Sequence, residues 1–167
     1  MPHLTAVHGD ITEQHVDAIV NAANRAMRGG GGVDGAIHRA GGPGVLADCI
    51  ARYPRGLPTG DGGWTTGGAL PARWVIHVVG PNFRAGERDR ALLESCYRRA
   101  LEIADDLGAE TIATPLVSAG IYGWPQVDAV DAAVSTLLET PTRVREVRIV
   151  SFDAAMHDLV TGRLEGT

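Results

Sequence analysis

The sequence predicts an α/β protein in which helices cover a sheet. Short β-branched runs alternate with longer amphipathic stretches. One of those stretches keeps helical spacing over five turns, and twice a buried strand leads through a loop of small residues straight into a helix. A chain of 167 residues with 44% hydrophobic and 21% charged residues suits one domain with a core of its own.

The strands are VDAIV (Val16 to Val20), WVIHVV (Trp74 to Val79), TIATPLV (Thr111 to Val117) and VRIV (Val147 to Val150), with Leu4 to His8 as an edge strand. The clearest helix runs from about Glu87 to Leu107. Leu92, Leu93, Cys96, Tyr97, Ala100, Leu101, Ala104 and Leu107 recur on one face, and Gly108 supplies the stop. Glu94, Arg98, Glu102 and Asp105 form its solvated face. A second helix opens near Pro125, a residue suited to a first helical position, and buries Val127, Val130, Val134, Leu137 and Leu138. Shorter helices are expected from Val33 to Ala40 and from Pro43 to about Tyr53. Arg55 to Gly68, rich in Gly, Pro and Thr, reads as loop or irregular edge strand. The final RLEGT is expected to fray.

Composition narrows the function. A net charge of -5 leaves little surface for neutralising many phosphates, so duplex nucleic acid is not the expected partner. All 15 basic residues are arginine, which removes Schiff-base chemistry and the lysine of a Walker loop. Cys49 and Cys96 lie far apart, without metal-ligand spacing, and read as buried apolar groups in a reducing compartment. The six histidines are scattered and read as structural. The opening MPHLTAVHGD has no basic region followed by an apolar stretch, and no apolar run is long enough to span a bilayer. The expected location is the cytoplasm, with no membrane partner, no metal and no cofactor.

Two loops carry the candidate chemistry. Gly29 to Gly32 cost backbone entropy that a bare linker before a helix does not justify. They let main chain approach a ligand closely, and the helix that follows offers free amides to an anion. SAGIYGWP, Ser118 to Pro125, repeats that arrangement after TIATPLV. In an open α/β sheet, loops at the carboxyl ends of strands face one crevice, so amides from both loops can hold a diphosphate without lysine. Gly30, Gly32 and Gly35 satisfy GxGxxG, but NAANRAMR separates them from the strand, and Asp48, the acid at a comparable distance, falls in a helix. A nicotinamide enzyme is therefore disfavoured. Asp34 has two readings of equal weight: a first-turn carboxylate favouring the helix dipole, or a group that orients or deprotonates water. Asn24 reads either as a turn residue or as a ligand to a sugar hydroxyl.

GDIT (Gly9 to Thr12), VDAIVNAAN (Val16 to Asn24), GGGGVDGAIHRAGG (Gly29 to Gly42), LPARWVIHVVGP (Leu70 to Pro81) and PLVSAGIYGWP (Pro115 to Pro125) together resemble the macrodomain family, specifically its MacroD-type hydrolases. The resemblance implies a three-layer α/β/α fold with a mixed central sheet and ADP-ribose lying across the strand ends. By position it implies that Asp10 accepts from the adenine amino group with Ile11 beside it, and that Phe152 stacks on adenine. Asn21, Gly31, Gly32, Val33, Ser118, Ala119, Gly120, Ile121 and Tyr122 would line the diphosphate and distal ribose. Asn24 and Asp34 would contact that ribose and support catalysis. Ala119 stands where the family often has Thr, and the segment PTGDGGWTTGGALPA is richer in glycine than its counterpart.

The implied reaction is metal-independent hydrolysis of an ester at the distal ribose, either an ADP-ribosylated Asp or Glu side chain or O-acetyl-ADP-ribose. Asp34, or a phosphate oxygen of the substrate, would activate water. Expected partners are ADP-ribose, ADP-ribosylated proteins and ADP-ribosylated nucleic-acid ends. The competing class is a reader of ADP-ribosyl marks without turnover; phosphatase action on a phosphorylated ADP-ribose is a third.

Overall fold

The computed structural model describes all 167 residues. Six strands form one sheet: β1 (His3–His8), β2 (Ala18–Ala23), β3 (Gly62–Thr66), β4 (Trp74–Val79), β5 (Thr111–Thr114) and β6 (Glu146–Ser151). The helices are α1 (Gly32–Gly41), α2 (Pro43–Arg52), α3 (Arg90–Leu107), α4 (Gln126–Glu139) and α5 (Ala154–Glu165). The spatial order is β1-β6-β5-β2-β4-β3, parallel throughout except for the antiparallel pairing of β3 with β4. The sheet is therefore mixed, and the carboxyl ends of five strands share one edge.

Period-two alternation sorts the strand side chains between two helical layers. Ala18, Val20, Ile76, Val78, Ile112, Val147 and Ile149 join the core beneath α3, α4 and α5. Ile19, Val75, Ala113 and Val150 face the other way, toward Ile37 of α1. Deeper along that face, Ala23 and Val79 meet Met27 and Cys49. Burial on both faces explains why β2 and β4 read as nearly continuous apolar runs. Their polar exceptions, Asn21 and His77, point to the α1–α2 side and are register partners.

Several boundaries differ from the sequence expectation, each for a local reason. β2 starts two residues later than VDAIV suggests, because the Asp17 carboxylate is spent on the Glu110 and Thr111 amides that open β5. It then continues through Asn21, Ala22 and Ala23, residues expected to be loop, because β4 offers partners for all three. β5 ends at Thr114, where Pro115 has no amide to donate. α3 begins at Arg90, capped by Asp89, while Glu87 is drawn into the preceding loop. Pro125 is the N-cap of α4 rather than its first residue, and Val127 on the first turn is 71% exposed instead of buried. Arg55 to Gly68 contains the edge strand β3. α5, absent from the sequence expectation, packs Met156 and Val160 onto the sheet and carries Arg163, Leu164 and Glu165 in its last turn. No helix is long and apolar enough to cross a membrane.

Candidate functional site

At the shared carboxyl edge, the segments after β2 and β5 enclose a cleft of about 320 Å³. That volume is in the range of small-ligand sites. Its walls include Asn24, Gly31, Gly32, Val33, Asp34, Ser118, Gly120, Ile121 and Tyr122, all expected from the sequence, together with Ala22, Ala23, Gly30, Gly80, Pro115 and Leu116. Gly80, Pro115 and Leu116 lie in quoted motifs without an expected site role of their own; their position beside the second loop depends on the strand order.

The main chain of both loops is unspent. α1 has no side-chain cap at Gly31, and the amides of Gly31, Gly32 and Val33 find no acceptor within the chain. The amides of Ser118, Gly120, Ile121 and Tyr122 are equally unpaired, whereas Gly123 and Trp124 donate to Gly120 and Ser118 carbonyls. Ala119 donates to Leu116 at 3.3 Å and lies outside the cleft wall, which leaves its side chain no direct role there. Unpaired amides at a helix start and in a facing turn form an anion site without a cation. Ile121, 64% exposed, reaches across so that a Cβ on Gly31 or Gly32 would stand 3.4 Å from its Cδ1. The two loops thus meet over the cleft.

Two close approaches set this geometry. A side chain at Gly35 would place its Cβ 2.5 Å from the Gly30 carbonyl oxygen, so the last glycine of GxGxxG serves packing of the loop on α1. A Cβ at Gly80 would lie 2.5 Å from the Ser118 hydroxyl, so the end of β4 must be bare for the second loop to settle. Ser118 itself takes φ 65, and Val117 donates its amide to the Tyr97 hydroxyl at 3.0 Å beneath it.

Asp34 sits in the first turn of α1 and is only 5% exposed, too buried for a simple dipole-balancing surface carboxylate. Its Oδ1 accepts from the Asn21 side-chain amide at 2.8 Å and lies 3.3 Å from His38 Nε2, four residues along the helix. Asn21 gives its other hydrogen to His77 Nδ1 at 3.0 Å. That fixes the imidazole with its proton on Nε2, which faces the Thr65 hydroxyl at 2.9 Å; Thr65 in turn donates to the Thr66 carbonyl. Burial raises the Asp34 carboxyl above the ordinary carboxylate range, with Asn21 and His38 pulling the other way. Burial pushes His77 down to about 3, so it is a neutral acceptor.

Asn21, expected to touch ligand, is fully buried and does not line the cleft: it stands behind Asp34 and orients it. Asn24 does reach the cleft wall. Its side chain also closes its own turn, donating to Gly29 at 3.1 Å and accepting from Met27 at 3.2 Å. His38 and His77, expected to be structural alone, belong to the site through Asp34 and Asn21. The spacing of His38 from Asp34 is a legible helix-face signal, whereas His77 needs the β2–β4 register.

The remaining expected residues, Asp10, Ile11 and Phe152, do not line this cleft; they follow the neighbouring strands β1 and β6 along the same edge of the sheet. Asp10 caps a short turn, accepting from the Thr12 amide at 2.9 Å and the Thr12 hydroxyl at 2.7 Å, and Ile11 is buried below it. Phe152, just past β6, is 85% exposed and is no core aromatic. Gly9 and Ser151 join these two strand ends by a 3.0 Å bond. Both thiols are buried, and burial raises Cys49 to about 11 and Cys96 to about 12, so neither is a nucleophile.

A mostly parallel sheet, helices on both faces and a cleft lined by unpaired amides over its carboxyl edge define the class of α/β domain present here. The chain belongs to the Macro domain family, whose pattern it matches over residues 20–133. It is 53% identical to a macro domain-containing protein of Streptomyces coelicolor, with 98% of this chain and 99% of the relative covered. It is 47% identical to a protein of Enterobacter cloacae named O-acetyl-ADP-ribose deacetylase, covering 91% of this chain and 88% of that one. Among solved structures it resembles the Oceanobacillus iheyensis macrodomain with ADP (TM-score 0.90, 35% identity, 98% of this chain and 90% of that chain). It also resembles the Trypanosoma brucei macrodomain in complex with ADP-ribose (TM-score 0.88, 37% identity, 97% and 69%).

Proposed function

We propose that this chain binds ADP-ribose along the strand ends and hydrolyses esters formed on the distal ribose. The observation that carries this reading is Asp34: a buried carboxylate, its Oδ1 fixed by Asn21 and His38, at the wall of a cleft whose two loops offer unpaired amides. In the proposed pose the adenine lies at Asp10, Ile11 and Phe152, and the diphosphate lies between Gly31–Val33 and Ser118–Tyr122. The distal ribose then meets Asn24 and Asp34. Relatives named O-acetyl-ADP-ribose deacetylase and neighbours described with ADP or ADP-ribose support it.

The chemistry follows from the unengaged Asp34 oxygen. Oδ2 faces Gly30, 3.2 Å from where a Cβ there would stand. A carboxylate with a raised affinity for protons is a better base than an exposed one. It accepts a proton from a water molecule as the water oxygen bonds to the ester carbonyl carbon. The bond from that carbon to the ribose oxygen breaks, and the ribose oxygen takes the proton. ADP-ribose and the free carboxylic acid, which ionises, are the products. The same arithmetic applies to an acetyl group and to an Asp or Glu side chain. No group of three His, Cys, Asp or Glu side chains is gathered to hold a metal.

A single-turnover assay on ester, phosphoester and glycosidic linkages of ADP-ribose tests the proposal. Ester cleavage alone is the expected result. Binding of ADP-ribose by calorimetry with no cleavage of any linkage would instead identify a reader, and phosphate release would identify a phosphatase.

A further inference from the structure

The strand order sets out the carboxyl edge of the sheet from end to end. Asp10 and Phe152 stand at β1 and β6, the two amide loops follow β5 and β2, and the next strand is β4. Past the end of β4 lies a second cavity of about 360 Å³, with Arg25, Thr59, Asn82, Ala85 and Glu87 in its walls. It adjoins the main cleft across two residues common to both, Gly80 and Tyr122. Arg25 directly follows Asn24, so one loop serves both cavities.

We propose that this second cavity receives the acceptor side of the substrate, a peptide segment carrying the ADP-ribosylated residue, and that its arginine rim favours acidic segments. The proposal rests on the ADP-ribose pose given above, with the distal ribose toward β4. Whatever is joined to that ribose then leaves the cleft through the Gly80–Tyr122 boundary. A two-carbon acetyl group needs little of a space this large; a peptide segment fills it.

The walls are firmly built. The Glu87 carboxylate accepts from the Asn82 amide at 3.0 Å, from the Thr59 hydroxyl at 3.0 Å and from Arg25, which ties three loops together. These bonds, the Asn82 amide first, hold the Glu87 carboxyl below its ordinary value. Arg25 also donates from Nε to Thr59 at 2.9 Å, leaving Nη1 unspent on a side chain that is 63% exposed. Arg84 and Arg88 are exposed on the adjoining turn, and the nearby Asp89 is directed to the Ala91 amide of α3. The Glu87 charge is balanced by Arg25, so the surplus cations beside this mouth are the exposed Arg84 and Arg88, the latter laid over the Phe83 ring and donating from Nε to the Phe83 carbonyl. On a chain of net charge -5 that is a local reversal of sign. Such a rim attracts anionic segments and sets specificity more than bulk affinity.

The test is calorimetric and independent of turnover. ADP-ribose joined through a non-hydrolysable linkage to a peptide with acidic flanks is compared with the neutral-flank conjugate, with free ADP-ribose and with ADP-ribose joined to a single-stranded DNA end. The wild-type chain is expected to bind the acidic conjugate about ten-fold more tightly than free ADP-ribose, an advantage that shrinks as salt is added. The variant carrying Arg84→Gln and Arg88→Gln, which leaves the Arg25–Glu87 pair in place, is expected to lose that advantage and to keep its affinity for free ADP-ribose, which also reports that the cleft is intact. Equal binding of acidic conjugate and free ADP-ribose by the wild type overturns the proposal, as does an advantage that survives the double variant. A larger gain for the DNA conjugate replaces the peptide with a nucleic-acid acceptor. Failure to bind free ADP-ribose at all defeats the underlying function instead, and is read separately in the same experiment.

Discussion

Asn21 on β2 and His77 on β4 are register partners, and their side chains meet at 3.0 Å inside the α1–α2 face of the sheet. Through Asn21 this pair reaches Asp34, so the orientation of the candidate catalytic carboxylate is set by strand pairing and not by its own loop. A backbone ladder therefore holds Asp34 from behind while the glycine loop shapes what lies in front of it.

Removing Asn21 tests that coupling. Asn21→Ala removes the donor to the buried His77 Nδ1 and leaves Asp34 Oδ1 with His38 alone, and is expected to cost about 1–3 kcal/mol of stability. The Asn21 bond lowers the Asp34 pKa against the stronger effect of burial. Its loss is expected to move the acid limb of the hydrolysis pH profile to higher pH. An unchanged limb in a folded variant, followed by rate measurements across pH, contradicts the coupling.

His77 predicts a pH dependence of stability. In the unfolded chain an imidazole titrates near 6.5, while in the fold His77 is held neutral down to about 3. Between those values only the unfolded chain takes up the proton. The stabilisation is therefore complete above about 6.5 and is lost as pH falls toward about 3, at up to about 1.4 kcal/mol per pH unit. Urea unfolding of wild type and His77→Gln across that window checks this. The wild type is expected to lose stability more steeply than the variant; parallel curves contradict the assignment.

Behind the glycine loop, Gly35→Ala places a methyl group 2.5 Å from the Gly30 carbonyl oxygen. The loop must move away from α1, at a cost of about 1–3 kcal/mol. Thermal unfolding is expected to show the loss, and ADP-ribose affinity is expected to fall with it because the Gly31–Val33 amides shift. Affinity unchanged alongside lower stability would separate the loop from binding.

Phe152 separates function from folding in the opposite sense. The side chain is 85% exposed, so Phe152→Ala is expected to change stability by no more than about 0.5 kcal/mol. If adenine stacks on it, ADP-ribose binding weakens by about 1–3 kcal/mol. Calorimetry with ADP-ribose and with ribose 5-phosphate, which has no base, checks the assignment: only the former is expected to suffer.

Much of this architecture is legible along the chain because it depends on local pattern. β4 occupies Trp74–Val79, where an apolar run interrupted only by His77 ends in Gly-Pro, and α3 follows its helical spacing to Gly108. The strand–loop–helix units that form the cleft are legible for the same reason. Pairing is not local. The extension of β2 through Ala23 depends on β4, and the role of His77 depends on which β2 residue lies opposite. α5 leaves no stripe along the chain because only Met156 and Val160 of its residues are buried. Arg25, Thr59, Asn82 and Glu87 come from three loops that sequence spacing does not relate.

The most direct measurement is single-turnover hydrolysis of an Asp/Glu-linked ADP-ribosylated protein and of O-acetyl-ADP-ribose by wild type and Asp34→Ala, with ADP-ribose affinity measured on the same samples. Loss of a positioned base is expected to slow hydrolysis of both esters by about 10²–10⁴-fold, with ADP-ribose still bound. Full turnover by Asp34→Ala, with binding intact, would contradict the central assignment of Asp34 as the residue that activates water.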